Sequence, residues 1–210
     1  MRPTIAAIAL ALAGCATFQA PKSEPLSLYR LDPALGGGSP GGGSGNLTVV
    51  VDPVRARPGF DTPRMAYVKQ PYAIEYFTRN QWVEPPARMV GPLLAQALQR
   101  TGRFRAVVLG PSGIPAGLRV SAEVVRLQQE FAGQPSQVRF ALHLWLVDLD
   151  GRRVLGEKEL EATATAPSDD PYGGVVAANG AVQKVLEEAA AYVAAEAARL
   201  AAPAGESTSR

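Results

Sequence analysis

"VRFALHLWLVDLDG", residues 138–151, decides the fold of this chain. Val138, Phe140, Leu142, Leu144 and Leu146 alternate on one face, with Arg139, Ala141, His143 and Trp145 on the other. A period of two with one apolar face marks a strand half-buried in a sheet. Asp150-Gly151 is a strong hairpin signal, and the chain returns as "RRVLGEKELEATAT". Upstream, "LRVSAEVVRLQQEF" alternates at Leu118, Val120, Ala122 and Val124. Its phase slips at Val125, Leu127 and Phe131, so a bulge or bend is predicted there. "GQPSQ" turns the chain between these runs. Together they predict a three-stranded antiparallel meander over residues 118–165.

The flanks supply the rest of the elements. "LTVVVDPV" (47–54) is a near-continuous β-branched run and reads as a buried strand. Pro58-Gly59 turns the chain toward a strand near 64–69, and "YAIEYF" (72–77) reads as the next. Pro71 between them points to a hairpin or an edge position. Met89, Val90, Leu93, Leu94, Ala97 and Leu98 then fall at helical spacing. Pro85-Pro86 suits a helix start, Pro92 sits where it can kink the first turns, and Thr101-Gly102 ends the helix. "FRAVVLG" (104–110) is a short strand. Near the C-terminus Val175, Val182, Leu186, Ala189, Val193 and Leu200 form one stripe of a long helix. The element order, strands then a helix, a meander and a long helix, is compatible with an α/β fold with two main helices.

Composition narrows the function. The chain has 210 residues, 47% hydrophobic and 19% charged, with net charge +2. That suits one domain with tails. The charges are scattered, without the basic stripe of a nucleic-acid binder, so no nucleic-acid partner is expected. One His and one Cys cannot supply a His/Cys metal site or an internal disulfide. No metal and no cofactor are expected.

The single cysteine has a telling place. "MRPTIAAIALALAGC" begins with Arg2, continues through eight apolar residues at 5–12, and ends in Leu12-Ala13-Gly14-Cys15. An apolar stretch this short is a secretory signal rather than a bilayer-spanning helix. The ending resembles the lipobox of bacterial lipoproteins, in which Cys15 is acylated and the peptide before it removed. Two or more acyl chains anchor stably where one does not. The residue after the cysteine is Ala16, not Asp, which by resemblance to Gram-negative sorting rules implies the outer membrane, periplasmic face. The expected organisation is a signal peptide at 1–14, a lipidated tether at 15–25, one domain at 26–202 and a disordered tail at 203–210. A glycine-rich flexible loop interrupts the domain at 36–45.

"YFTRNQWVEPPARMV" (76–90) is the densest stretch chemically. Tyr76, Arg79, Asn80 and Trp82 precede a helix start, where free backbone donors need capping. They fit either a structural corner, with Trp82 stapling helix to sheet, or a partner-contact surface. Elsewhere the reading is plain. His143 lies mid-strand. Asp148/Asp150 and Asp169/Asp170 sit at turns, where Asp is common for backbone reasons. The glycine run is not followed by the Lys-Ser/Thr of a phosphate loop. No glycine-flanked serine offers a nucleophile elbow. No catalytic residue is nominated, and no enzymatic activity is expected.

The lipobox, "YRLDP", "VVVDPVRARPGFDTPRMAYV", "EYFTRNQWVEPPA" and "FRAVV" together resemble the ABC-type transport auxiliary lipoprotein family, its PqiC-like group. The matching residues run from Tyr29, Arg30 and Leu31 through Arg64, Tyr67, Tyr76, Asn80, Trp82 and Pro86 to Leu94, Leu98, Gly102 and Phe104. The resemblance implies a three-layer α/β fold with a mixed, largely antiparallel sheet and two main helices, similar to the N-terminal domain of TolB. It also implies a non-catalytic accessory role with an ABC permease/ATPase complex and an MCE-domain protein that move phospholipid or another hydrophobic molecule. A structural or assembly lipoprotein of the envelope, without cargo, is the other reading. A homo-oligomer is compatible with a tubular partner, though no sequence feature demands one.

Overall fold

The computed structural model describes residues 25–38 and 43–201. The expected signal peptide, Cys15, nearly all of the tether and the tail from 203 lie outside them. The described chain forms β1 (Ser27–Tyr29), β2 (Thr48–Val51), β3 (Arg55–Ala56), β4 (Arg64–Val68), β5 (Glu75–Trp82), α1 (Pro86–Arg100), β6 (Ala106–Leu109), β7 (Leu118–Glu130), β8 (Gln137–Asp148), β9 (Arg153–Thr165) and α2 (Pro171–Ala201).

One strand organises the sheet. β7 pairs antiparallel with β8 along its length, and β8 pairs likewise with β9, giving the expected meander. The register of β7 against β8 shifts between Val124 and Arg126, the bulge that the phase slip at Val125 predicts. The other edge of β7 accepts three short parallel strands in succession. β2 lies against 118–120, β3 against 123–124 and β4 against 128–130. β6 extends the sheet beyond β2, and β5 then β1 extend it beyond β4. The nine-stranded sheet is therefore mixed, with most of its paired residues in the antiparallel meander.

Both helices cover the same face. The expected stripe of α2 is buried at Val175, Val182, Leu186, Ala189 and Val193. It packs with Val90, Leu94 and Leu98 of α1 in one core against Leu118, Val120, Phe140, Leu142 and Leu144. Pro92 is carried inside a continuous α1. At its C-terminus the Thr101 hydroxyl donates to the Leu98 carbonyl at 2.7 Å, and Gly102 follows at φ 64°. The described part thus has two layers, a sheet and a helix pair, where the resemblance implies three. The physical reason lies on the second face. There the meander carries Arg119, Ser121, Glu123, Arg126, Arg139 and His143, side chains too polar to bury a third layer.

The strand expected at 72–77 lies instead at Glu75–Trp82. Gln70 to Ala73 forms the β4–β5 turn, with the Ala73 amide donating to the Gln70 carbonyl at 3.3 Å. The ends of the glycine-rich run are not a free linker. The Gly38 amide donates to the Arg100 carbonyl and the Gly43 amide to the Phe104 carbonyl, at 3.3 and 3.2 Å. A Cβ on Gly43 would meet the Gly102 carbonyl oxygen at 2.4 Å, so glycine there permits close backbone packing.

Candidate functional site

The four residues singled out before the helix have separate environments. Trp82 is 4% exposed, inside the core beside Met65, and its amide donates to the Pro63 carbonyl at 2.7 Å. Asn80 Oδ1 accepts from the Tyr29 hydroxyl at 3.2 Å, tying β5 to the edge strand β1. The Tyr76 hydroxyl donates to the Gly59 carbonyl at 2.9 Å, and the Arg64 guanidinium sits 3.9 Å from the centre of its ring. Arg79 is exposed. Trp82, Asn80 and Tyr76 make the contacts of a structural corner, and Arg79 is exposed on the strand between them.

The groove on the uncovered face was not legible in advance. It has a volume of about 590 Å³ and lies between the meander and two loops. Phe60, Pro71, Tyr72, Ile74 and Val125 give it apolar walls. Phe60 and Val125 are buried in its floor, whereas Tyr72 and Ile74 stand exposed at the rim. Tyr76 shapes it indirectly, because its bond to Gly59 pins the loop that carries Phe60. The size and lining fall in the range of small-ligand and side-chain pockets. No sequence window could announce it, since its walls come from residues 57–60, 68–74 and 125–139.

Beside the groove the open face is a grid of compensated charges. Arg139 grips Glu130 with Nε at 2.9 Å and Nη2 at 3.1 Å, and its Nη1 donates to Glu161 at 2.5 Å. Burial alone would raise the Glu130 carboxyl, but hydrogen bonds from Arg139 and Gln128 outweigh it and hold the group below its ordinary value. The same carboxylates, Glu130 before Glu161, raise the Arg139 guanidinium. Arg57 meets Glu123 at 3.3 Å and Arg126 meets Glu161 at 3.4 Å. His143 stacks on Trp145 with ring centres 4.2 Å apart, and Glu157 and Glu159 lie 3.6 and 3.7 Å from its two nitrogens.

The turn aspartates serve the backbone. Asp148 accepts from the Gly151 amide at 2.9 Å and from Arg153 at 3.2 Å, and these bonds, the amide's first, lower its pKa against the opposing effect of burial. Asp170 accepts from the Gly173 amide at 2.7 Å in the first turn of α2, which lowers its pKa in the same way. Among the described residues no group of three or more His, Cys, Asp or Glu side chains is placed to hold a metal ion. No described helix is long and apolar enough to cross a membrane.

Comparison with known proteins matches this architecture to a family. A Xanthomonas campestris protein of family DUF330 shares 17% identity, with 82% of this chain and 98% of that one aligned, and superposes with a TM-score of 0.73. A second crystal structure, of an uncharacterized protein, shares 15% identity over 85% of this chain and 100% of its own, with a TM-score of 0.58. At such identities the likeness shows the fold. No curated protein matches the chain in sequence. The model of the ABC-type transport auxiliary lipoprotein component matches residues 29–194, β1 to the last turns of α2, and the chain belongs to that family.

Proposed function

We propose that the protein is an outer-membrane lipoprotein, anchored through acylated Cys15, which docks an MCE-domain protein in the periplasm. It thereby assists an ABC permease and ATPase in moving phospholipid or a similar hydrophobic molecule. The family assigns an auxiliary role in ABC-type transport and a lipoprotein. The docking partner, the cargo and the outer membrane are the finer reading. The observation that carries it is the uncovered face of the meander. It joins an apolar groove to compensated charges and a His143–Trp145 stack, a composition suited to a protein contact with a polar rim and an aromatic centre. Arg79 is the member of the sequence-nominated set with surface to offer. The domain works by binding, with no covalent step assigned to any of its residues.

Co-purification of the full acylated chain with the MCE-domain protein from detergent-solubilised membranes is the direct test. Trp145→Ala and Arg79→Ala are expected to weaken recovery while the far-UV spectrum stays unchanged. Recovery of the wild type without the MCE protein, under conditions that keep both folded, sinks the docking reading and favours a structural lipoprotein without cargo.

A further inference from the structure

The β4–β5 turn is built at a conformational cost that packing does not explain. Pro71 and Tyr72 occupy its two central positions, and Tyr72 holds φ 69°. Proline followed by a positive φ is the pattern of a type II turn, where glycine or asparagine is the residue without strain. A tyrosine there, with its side chain fully exposed, gains nothing from the core. Ile74 next to it is 44% exposed.

The strand directions place this turn on the side from which the described chain enters β1. β1 runs parallel to β5, with Ser27 opposite Asn80. Pro25 and Leu26, which precede Ser27, are therefore on the side of β1 toward Glu75. Along β4, the level of Gln81 lies only three residues from that of Glu75, about 10 Å. Cys15 stands ten positions before Pro25, a reach of at most about 35 Å. Leu26, exposed, lies on this side of Ser27. An exposed tyrosine ring two residues from an exposed aliphatic side chain suits the headgroup zone of a bilayer, where amphipathic rings settle.

We propose that the Gln70–Ala73 turn, with Tyr72 and Ile74 at its tip, seats this end of the domain in the phospholipid surface that holds the anchor. The inference rests on the acylated-anchor reading of Cys15. The contact is apolar: Lys69 at the turn is offset by Glu75, 4.0 Å away, so added salt leaves the docking unchanged. Because Pro71, Tyr72 and Ile74 also line the groove, docking brings its rim to the bilayer.

The test uses the full acylated protein in vesicles of phosphatidylethanolamine and phosphatidylglycerol carrying brominated acyl chains. Tyr72→Trp places a reporter at the tip, and Val154→Trp, at the opposite end of the meander, is the control. The expected result is bromine quenching and a blue shift of the added emission at 72 and neither at 154, at low and high salt alike. Equal quenching at both positions overturns the proposal. So does a blue shift at 72 that needs no lipid but follows protein concentration or addition of the MCE-domain protein, which assigns the tip to a second copy or to a protein partner. Ile74→Trp repeats the measurement should the first variant unfold. A mass spectrum of the Cys15 peptide separates the two readings: no acyl mass overturns anchor and docking together, whereas acylated protein without quenching overturns docking alone.

Discussion

The two faces of β8 come from alternate residues of one strand, yet they are stabilised by different physics. Phe140, Leu142, Leu144 and Leu146 have no exposed surface and lie in the core formed with α2. Arg139, His143 and Trp145 point the other way and are held by their neighbours in the sheet, through ion pairs and ring stacking. Alternation in the sequence therefore reports that one face is buried, but not how the other is satisfied. The inner face tolerates little change because its contacts are dense and dry. The outer face can be remodelled, which leaves it available for binding.

Truncation on the inner face should break this contrast most severely. Phe140→Ala is expected to cost about 3–5 kcal/mol of folding stability, the range for deleting a buried aromatic. Trp82→Ala should fall in the same range, since Trp82 is equally a core residue. Trp145→Ala, on the open face, should cost well under half as much. Urea unfolding followed by circular dichroism checks all three. If Trp145→Ala proves as damaging as Phe140→Ala, the outer face is structural and the proposed division fails.

These expectations show how much was legible. The meander, the bulge at Val125 and the stripe of α2 could be read because their signals are local periodicities of 2 and 3.6. β3 could not, since Arg55–Ala56 is a strand only by virtue of its place on the edge of β7. The same holds for the succession of β2, β3 and β4 along that edge, because long-range parallel pairing leaves no nearby trace. β5 was displaced toward the N-terminus because the aromatic run from Tyr72 imitates a strand. Trp82 could be placed before a helix start, but its burial depends on Met65 and the remaining core around it. The groove was invisible for the same reason, being assembled from three distant segments.

The charge grid offers an intermediate effect. Arg139→Met removes a two-pronged contact to a partly buried carboxylate and should cost about 1–2 kcal/mol, with solvent screening setting the lower part of the range. Its pH dependence has a definite sign. The Glu130 carboxyl is lowered in the folded protein from an ordinary value of 4.5. Its contribution is therefore complete above about pH 4.5 and is lost as pH falls through the lowered folded value. Glu130→Gln should flatten that part of the stability profile between neutral and acid pH. An unchanged acid limb in the variant would show that other carboxylates, Asp148 and Asp170 among them, carry it instead.

The smallest expected effect has the opposite sign. Tyr72→Gly removes the strain of a left-handed non-glycine residue, with a gain of about 1 kcal/mol, set against the larger backbone entropy of glycine in the unfolded chain. Thermal unfolding should show a net rise in Tm. The exposed ring makes no core contact whose loss would offset it. The same variant should lose contact with the bilayer at the tip, seen as reduced bromine quenching of a Trp at position 74 in Tyr72→Gly/Ile74→Trp relative to Ile74→Trp alone. A gain in stability together with a loss of membrane contact identifies the strain as functional. A gain in stability with membrane contact intact would mean that Tyr72 is simply a poor turn residue, and would confine the working surface to the groove and the face of the meander.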